Sequence, residues 1–350
     1  MTHATSVFDE LTFRRLGLEA SANLRFGGLP SSAIQIPTAD AGRTFSQAVP
    51  FFSRRSPIKA SDALWSPFCG LMRELGMPLY ALTPELESVP VASVPIRFTR
   101  RAADEGFDLL ELETAEAIEL TCRRNRPGVD QPLAQEDVEQ VPTLPLELRS
   151  VDELNSLIEA CRQLTDYRTP IGCALTPADV VTDVRAAIAA QFDFVLLEFP
   201  LNGKQGDIYD EQLLASVADA AAVIKSSPRS EVPLFVDADV TDSEALIILL
   251  AAGARAVSID ALIRQAIPAA PAASSVSYSS MGLLGSLGSS TPKPQADIGP
   301  IERVLKKLLD TLACRMMQTG ARTMAEFDAG LLRGFSERAQ QAARVPGLRG

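Results

Sequence analysis

The chain has 350 residues, of which 46% are hydrophobic and 22% are charged, the composition of an ordinary globular protein. Its formal net charge of −11 at pH 7 disfavours nucleic acid and anionic membrane surfaces as partners, because both carry negative charge. No apolar run reaches the ~18 residues that a transmembrane helix needs, and residues 1–10 lack a signal-peptide pattern, so we expect a cytoplasmic protein.

Histidine and cysteine usage narrows the chemistry further. The single histidine is His3, which disfavours Ser-His-Asp and Cys-His nucleophile systems and histidine-ligated metal sites. Flavin-dependent hydroxy-acid oxidases, which rely on a histidine base, are disfavoured on the same ground. The cysteines are odd in number and form no CxxC pair, so we predict buried free thiols and no metal site. They are Cys69, Cys122, Cys161, Cys173 and Cys314.

Short apolar runs recur along the chain and predict buried parallel strands. The first five are VPFFS (49–53), PLYAL (78–82), VASVPIRF (91–98), FDLLELE (107–113) and AIELT (117–121). The next four, which alternate with amphipathic helical segments, are PIGCAL (170–175), FDFVLLEF (192–199), VPLFVD (232–237) and ARAVSID (254–260). This alternation, in about this number, predicts an α/β fold of the TIM type, a (β/α)8 barrel.

Helix boundaries are readable between the later strands. Three segments fit a capping box, in which a hydroxyl and a carboxylate satisfy amide donors at a helix N-terminus. They are Ser150–Glu153, Thr176–Asp179 and Thr241–Glu244. We expect Gly253 to end the helix over 244–252.

A change of composition after the last predicted strand divides the chain. Residues 266–299 are rich in Ala, Pro, Ser and Gly and predict a flexible linker. The expected division is an N-terminal extension over 1–45, the barrel over 46–265, the linker over 266–299, and C-terminal helices packed on the barrel over 300–345.

The last of these segments has a helical pattern. One apolar stripe at helical spacing comprises Ile301, Val304, Leu305, Leu308 and Leu312. Thr323–Glu326 predicts the start of another short helix.

Five segments are collinear with one family of flavin barrels. They are FDELTF (8–13), AIELTCRRNRPG (117–128), RSVDELNSLIEACRQL (149–164), FVDADVTDSEALIILLAAGARAVSIDALI (235–263) and IERVLKKLLDTLACRMMQTGARTMAEF (301–327). Together they resemble the FMN-binding barrel domain of archaeal-type glutamate synthases over nearly the whole chain. The resemblance implies a barrel, an FMN phosphate held at the loops after the last two barrel strands, and glutamate synthase-type oxidoreductase chemistry.

The residues that would carry this chemistry are replaced. The family's paired phosphate-loop glycines correspond to Ala238 and Asp239, and a further glycine corresponds to Asp260. Carboxylates would repel the phosphate, since two unit charges ~4 Å apart interact by about 4 kcal/mol at an effective dielectric of 20. Alternatively, the aspartates cap helix N-termini. Two lysines of the family align with Thr121 and with Arg126, which keeps the positive charge.

Two further family features are missing. The glycine-rich segment after the sixth barrel strand is replaced by PLNGKQGDIY (200–209), and residues 264–298, where the family's iron–sulfur cysteines would fall, contain no cysteine. These departures predict a divergent, pseudoenzyme-like barrel that has lost FMN and iron–sulfur chemistry, holds no cofactor, and acts as a binding or interaction module.

The alternatives stay open at this point. One is a working FMN-dependent oxidoreductase acting on a small amino or keto acid, with FMN as its cofactor. Another is a flavin-free, aldolase- or lyase-like barrel that uses Lys204 or a carboxylate. The sequence leaves undecided whether the chain is an enzyme, and it singles out no catalytic residue.

The candidate cofactor positions are those of the family's flavin and substrate loops, namely Arg126, Asp237, Asp239 and Asp260. Carboxylates that could also reach the barrel mouth and act as an acid–base pair or hold a metal are Glu85, Glu119, Glu198 and Asp237.

Two segments are candidate partner sites. Arg123, Arg124 and Arg126 either bind a small anionic ligand at the barrel mouth or lie in a solvated loop. MGLLGSLG (281–288) either docks onto a protein partner or packs against its own barrel.

Overall fold

The computed structural model describes the residues 6–13, 34–37, 44–47, 49–59, 62–80, 97–101, 117–124, 143–144, 151–176, 179–199, 207–267, 297–334 and 337–345. The strands are β1 (Leu11–Phe13), β2 (Ile34–Pro37), β3 (Thr44–Gln47), β4 (Phe51–Phe52), β5 (Leu79–Tyr80), β6 (Arg97–Arg101), β7 (Ala117–Arg124), β8 (Thr143–Leu144), β9 (Ile171–Leu175), β10 (Phe194–Glu198), β11 (Leu234–Asp237), β12 (Ala256–Ser258) and β13 (Leu332–Gly334). The helices are α1 (Trp65–Glu74), α2 (Val151–Leu164), α3 (Val180–Ala189), α4 (Asp207–Lys225), α5 (Ser243–Ala251), α6 (Asp260–Ala266), α7 (Gly299–Thr319) and α8 (Glu337–Ala343).

Eight parallel strands form a barrel, as the sequence predicts. Around the sheet they follow chain order: β4, β5, β6, β7, β9, β10, β11 and β12. The last strand pairs with the first, with Ser258 opposite Phe52. A parallel bridge between Ser53 and Leu79 connects β4 to β5 and completes the ring. Closure pairs both edges of the sheet, which removes the exposed edges that an open sheet would leave.

Eight of the nine predicted strands overlap an observed strand, and the ninth is not tested. The strand predicted over 91–98 is found at Arg97–Arg101, and residues 91–96 lie outside the described part. FDLLELE (107–113) also lies outside it. The last strand ends at Ser258 because Asp260 is already the first residue of α6.

The barrel interior is filled by aromatic and small side chains. Because successive strand residues point to opposite faces of a sheet, every second residue faces the barrel axis. The inward cluster comprises Phe52, Ala117, Ala174, Phe194, Leu196, Phe235 and Ala256. The rings of Phe194 and Phe235 stack with their centroids 5.3 Å apart. Gly172 makes room for them, since a Cβ there would lie 2.1 Å from the Phe194 ring.

Aspartates, rather than the predicted threonines, cap two of the outer helices. The amide of Thr182 donates to Asp179 Oδ1 at 3.2 Å and the amide of Ala245 donates to Asp242 Oδ2 at 2.9 Å. Both helices therefore begin later than the capping boxes predict. A carboxylate cap also complements the positive end of the helix dipole, which a hydroxyl cannot do. Gly253 ends α5 as predicted, in the left-handed region at φ 123°.

The C-terminal helices pack on the barrel helices: α7 lies against α5 and α6, and α8 lies against α4. Of the five residues in the predicted apolar stripe, α7 buries four, and the fifth, Val304, is half-buried. Leu309 and Met316 are also buried and extend the stripe. The buried apolar set is Ile301, Leu305, Leu308, Leu309, Leu312 and Met316. β13 pairs antiparallel with β1, so that residues 11–13 and 332–334 form one small sheet.

The prediction of a helix starting at Thr323 is wrong. The amide of Glu326 donates to the carbonyl of Thr323 at 3.1 Å, which closes a turn, and the amide of Arg322 donates to the Glu326 carboxylate at 2.7 Å. The Glu326 side chain thus bonds backward to the chain before it, and helical structure resumes only as the short 3-10 helix Ala329–Leu331.

The cysteine prediction is confirmed for Cys69, Cys161 and Cys173, which are buried free thiols, and is wrong for Cys314, which is exposed. Cys314 lies on the face of α7 opposite the buried stripe. Burial raises the pKa of Cys69 to about 11, so this thiol stays protonated at neutral pH. Within the described residues, no helix is long and apolar enough to cross a membrane.

Candidate functional site at the barrel mouth

The mouth of the barrel carries a layer of charged side chains directly above the apolar interior. Phe52, Leu196 and Phe235 face inward, and the next inward positions along the same strands are Arg54, Glu198 and Asp237. Glu198 and Asp237 stand opposite each other in the register of β10 and β11. Because side chains alternate between the two faces of a strand, the apolar layer inside the barrel is followed by a layer of ionic side chains. This ionic layer lies at the carboxyl ends of the strands, where barrel active sites lie.

Arg54 is the centre of this layer. Its Nε donates to both oxygens of Glu119, at 3.2 and 3.1 Å, its Nη1 donates to Asp237 Oδ2 at 2.7 Å, and its Nη2 donates to Glu198 Oε2 at 3.2 Å. The side chains of Arg54 and Glu119 are fully buried. Burial alone would lower the pKa of Arg54, but Glu119, Asp237 and Glu198 raise it well above its ordinary value. The guanidinium is therefore a permanent cation that links three strands across the barrel.

Arg55 extends the layer toward the outside. Its Nη2 donates to Glu198 Oε1, and its Nε lies 3.1 Å from Asp237 Oδ2. The Arg55 side chain is 24% exposed, against 12% for Glu198 and 4% for Asp237. Arg55 is thus the member of the charged layer that a ligand approaching the mouth would meet first.

Asp260 binds back to the end of the first barrel strand. Its carboxylate accepts hydrogen bonds from the hydroxyls of Ser53 and Ser258 and from the backbone amides of Arg54 and Arg55, the amides at 2.9 and 2.6 Å. Burial and the nearby Asp237 raise the pKa of Asp260, against the opposing effect of these donors. Asp260 stands in the first turn of α6, as the alternative interpretation expects, but its side chain makes no capping hydrogen bond to that helix.

The charge of the layer is unequal. Three carboxylates, those of Glu119, Glu198 and Asp237, face the two guanidinium groups of Arg54 and Arg55. Asp260 adds a fourth carboxyl group, which accepts from the backbone amides of the two arginines. Thr121, on the same face of β7 as Glu119 by the strand period, is buried, and its hydroxyl has no hydrogen-bond partner among the described residues. The excess of carboxyl groups disfavours an added anion within the charged layer itself.

Asp239 lies in a different place, on the loop between β11 and α5. Its Oδ1 is 3.0 Å from Nη1 of Arg264 on α6, and its amide donates to the Tyr209 hydroxyl at 3.5 Å. Burial raises the pKa of Tyr209 against the opposing effect of the hydrogen bond from the Asp239 amide, and nearby carboxylates add to the rise. The ion pair joins the loop after β11 to α6, the helix that follows β12. Phosphate is bound near the loops after these two strands in many barrels of this type.

An FMN phosphate does not fit the residues of these two loops. The backbone and hydroxyl donors nearest the end of β12 are already directed at the Asp260 carboxylate, and Asp239 occupies Arg264. A bound phosphate would have to displace one carboxylate or lie beside both. Among the described residues, no group of acidic, cysteine or histidine side chains could hold a metal ion.

The predicted site residues are only partly brought together. Glu119, Glu198 and Asp237 converge on Arg54, whereas Asp239 does not join them. Arg126, Glu85 and Lys204 lie outside the described residues, as does the segment 281–288. Arg123 and Arg124 are described only in their backbone, which ends β7 and pairs with β8.

Sequence reasoning missed Arg54, Arg55 and Ser53. The available signal was the pair of arginines immediately after the predicted strand VPFFS (49–53), because charged residues that follow a barrel strand stand at its mouth.

Comparison with known proteins supports the fold. Neither the protein-family models nor the curated protein sequences match this chain. Solved structures do: a flavocytochrome b2 variant shares 15% identity at a TM-score of 0.55, with 98% of this chain and 80% of that chain covered. The recombinant flavin-binding domain of baker's yeast flavocytochrome b2 shares 16% at 0.54, with the same coverage. A mandelate oxidase variant with a monooxide FMN adduct shares 15% at 0.53, with 92% and 87% covered.

At such identities the likeness concerns the fold alone. The chain shares the barrel fold of these solved structures, and membership of the glutamate synthase family stays a prediction, since no family model matches.

Proposed function

We propose that this chain is a flavin-enzyme-type barrel that does not bind FMN in the usual way and acts as a binding or interaction module. The observation that carries the proposal is the fully buried guanidinium of Arg54, which bonds to Glu119, Asp237 and Glu198 across the barrel. The chain's own side chains thus occupy the layer where barrels of this type place their chemistry.

Electrostatics supports the same proposal. A phosphate ~4 Å from a carboxylate is repelled by about 4 kcal/mol at an effective dielectric of 20, and both phosphate loops carry an aspartate. Displacing Asp260 would also leave buried donors without an acceptor, at about 1–3 kcal/mol each. In addition, His3 is the single histidine of the chain, which argues against the histidine-based chemistry of hydroxy-acid oxidases.

The ligand of such a module is proposed to be a small anion bound above the mouth. β7 ends at Arg123 and Arg124, and Arg126 follows two residues later, so three cations leave the carboxyl end of one barrel strand. Arg55, which is 24% exposed, faces the same end. A protein partner bound through residues 281–288 remains a separate proposal, because that segment lies outside the described residues.

Flavin binding is the direct test. The purified protein is expected to show no flavin absorbance, and titration with FMN is expected to leave the fluorescence of the free flavin unquenched. Stoichiometric FMN in the purified protein, or saturable quenching at one equivalent, would refute the proposal. Inorganic phosphate in excess serves as the control for binding at the phosphate loops alone.

A second candidate is an FMN-dependent oxidoreductase that acts on a small amino or keto acid. The fold of the similar solved structures favours it, as does Arg264, which is 47% exposed and could hold a phosphate if Asp239 moved away. If the protein takes up FMN, anaerobic mixing with small amino acids should bleach the flavin. Failure to take up FMN eliminates this candidate.

A further inference from the structure

A groove of about 600 Å³ opens at the end of the barrel opposite the mouth. It lies between the C-terminal ends of α3 and α4, which lead into the first residues of β10 and β11. Apolar side chains that line it include Ile188, Val223 and Pro228. This volume is within the range of small-molecule sites, which are mainly apolar with a few placed polar groups.

Two arginines stand among the lining residues. Arg185 is exposed and has no ion pair with any described carboxylate. Arg229 donates to the Phe192 carbonyl at 2.9 Å, but it lies 3.7 Å from Asp193 and 3.8 Å from Glu231. These two distances exceed the 2.7–2.9 Å of a charge-assisted hydrogen bond. In a chain of net charge −11, the groove therefore has one exposed cation, Arg185, without an ion pair to a described carboxylate. Beside it lies Arg229, whose charge is shared with Asp193 and Glu231 at longer range.

Gln191 gives an independent indication at the edge of the same groove. It lies at φ 61°, in the left-handed region that glycine usually occupies after a helix. A side chain there is strained, and such strain is concentrated at functional sites. Here it places an amide side chain on the lining of the groove.

We propose that this groove binds a small amphipathic anion, with its oxyanion on Arg185 and Arg229 and its apolar body against Ile188, Val223 and Pro228. The ligand class is an oxyanion joined to an aliphatic or aromatic group. The site is separate from the barrel mouth, so it does not depend on whether the mouth binds flavin.

The probe is 8-anilinonaphthalene-1-sulfonate, an aromatic sulfonate whose fluorescence rises in apolar surroundings. The folded protein is expected to bind about one equivalent. Decanoate and phenyl phosphate should displace it and thereby show whether a carboxylate or a phosphate is preferred. Decanol, which lacks the charge, and inorganic phosphate, which lacks the apolar body, should not.

Variants locate the site. Arg185→Ala is expected to weaken sulfonate binding about tenfold, which corresponds to about 1.4 kcal/mol, and Arg185→Glu should weaken it further. Arg303→Ala, at an exposed arginine of α7 that does not line the groove, should bind like the wild type. All variants are first checked for an unchanged melting temperature.

Unchanged affinity in both Arg185 variants, or binding that never saturates, would overturn the proposal. An FMN titration on the same preparations distinguishes this proposal from the proposed function of the mouth. If the protein takes up FMN without displacing the sulfonate, only the proposal that the mouth does not bind FMN is refuted.

Discussion

The carboxylate of Asp260 accepts a hydrogen bond from the backbone amide of Arg54 at 2.9 Å and so connects the start of α6, just after the last barrel strand, to the end of the first strand. The neighbouring amide of Arg55 donates to the same oxygen. This junction reinforces the pairing of β12 with β4, where only two residue pairs are in register.

Asp260→Ala should therefore reduce the free energy of unfolding by about 3 kcal/mol, because each buried donor left without an acceptor costs about 1–3 kcal/mol. Urea unfolding measures the change. The matched control is Asp239→Ala, whose partner Arg264 is 47% exposed, and it should cost no more than about 1 kcal/mol. Equal losses in the two variants would mean that the Asp260 hydrogen bonds contribute little.

Arg54→Met should reduce the free energy of unfolding by about 3–5 kcal/mol, because it leaves Glu119 and Asp237 buried without their cation. Arg55→Met is the control, expected to cost about 1 kcal/mol because Arg55 is partly solvated. The prediction is contradicted if the two variants have the same free energy of unfolding at neutral pH.

The charged layer illustrates what the sequence could and could not predict. Glu119, Glu198 and Asp237 end up together, as their positions in the predicted strands allowed. Their common partner was missed because sequence spacing does not fix strand register, and a slip of one residue would turn any of these side chains to the other face of the sheet. Arg54 also lies far along the chain from all three.

The barrel itself was easier to predict. The later strands, such as Phe194–Glu198 and Leu234–Asp237, are covered on both faces and so form nearly continuous apolar runs. Helix starts were less certain, because a threonine and an aspartate close in sequence compete for the same amide donors. The aspartates Asp179 and Asp242 are the caps.

A pH dependence is expected at Asp193, which accepts a hydrogen bond from the Ile171 amide at 2.9 Å. Burial raises its pKa above the ordinary 3.8, against the opposing effects of Arg162 and Arg229. A raised pKa in the folded state means that Asp193 contributes stability below pH 3.8, which is lost as the pH rises through the raised value.

Asp193→Asn keeps an acceptor for the Ile171 amide and removes this titration. The stability of the variant relative to the wild type should therefore increase as the pH rises from below 3.8 to neutral, and then level off. Urea unfolding at a series of pH values gives the difference. A difference that falls with rising pH would show that the arginines, and not burial, dominate at Asp193.

Gly172→Ala should destabilise the barrel by about 1–3 kcal/mol, because the new methyl group would lie 2.1 Å from the Phe194 ring and force repacking of the interior. Phe194→Leu in the same chain should recover part of the loss. Gly70→Ala on α1 is the control: its Cβ meets nothing within 4 Å, so it should be neutral or stabilise by up to about 1 kcal/mol. Additive effects of the Gly172 and Phe194 changes would contradict the proposed clash.

The pairing of β1 with β13 has a consequence for the order of folding. Leu11–Phe13 leave the ribosome early and Leu332–Gly334 leave it after all eight barrel strands, so their sheet cannot form while the barrel is being synthesised. Contacts of such long sequence separation are slow to form. The ring stacking of Phe13 on Phe327 at 5.3 Å and the position of the Arg315 guanidinium 5.7 Å from the Phe13 ring belong to the same late step. Until it occurs, a nascent barrel leaves the apolar side chains of β1 uncovered.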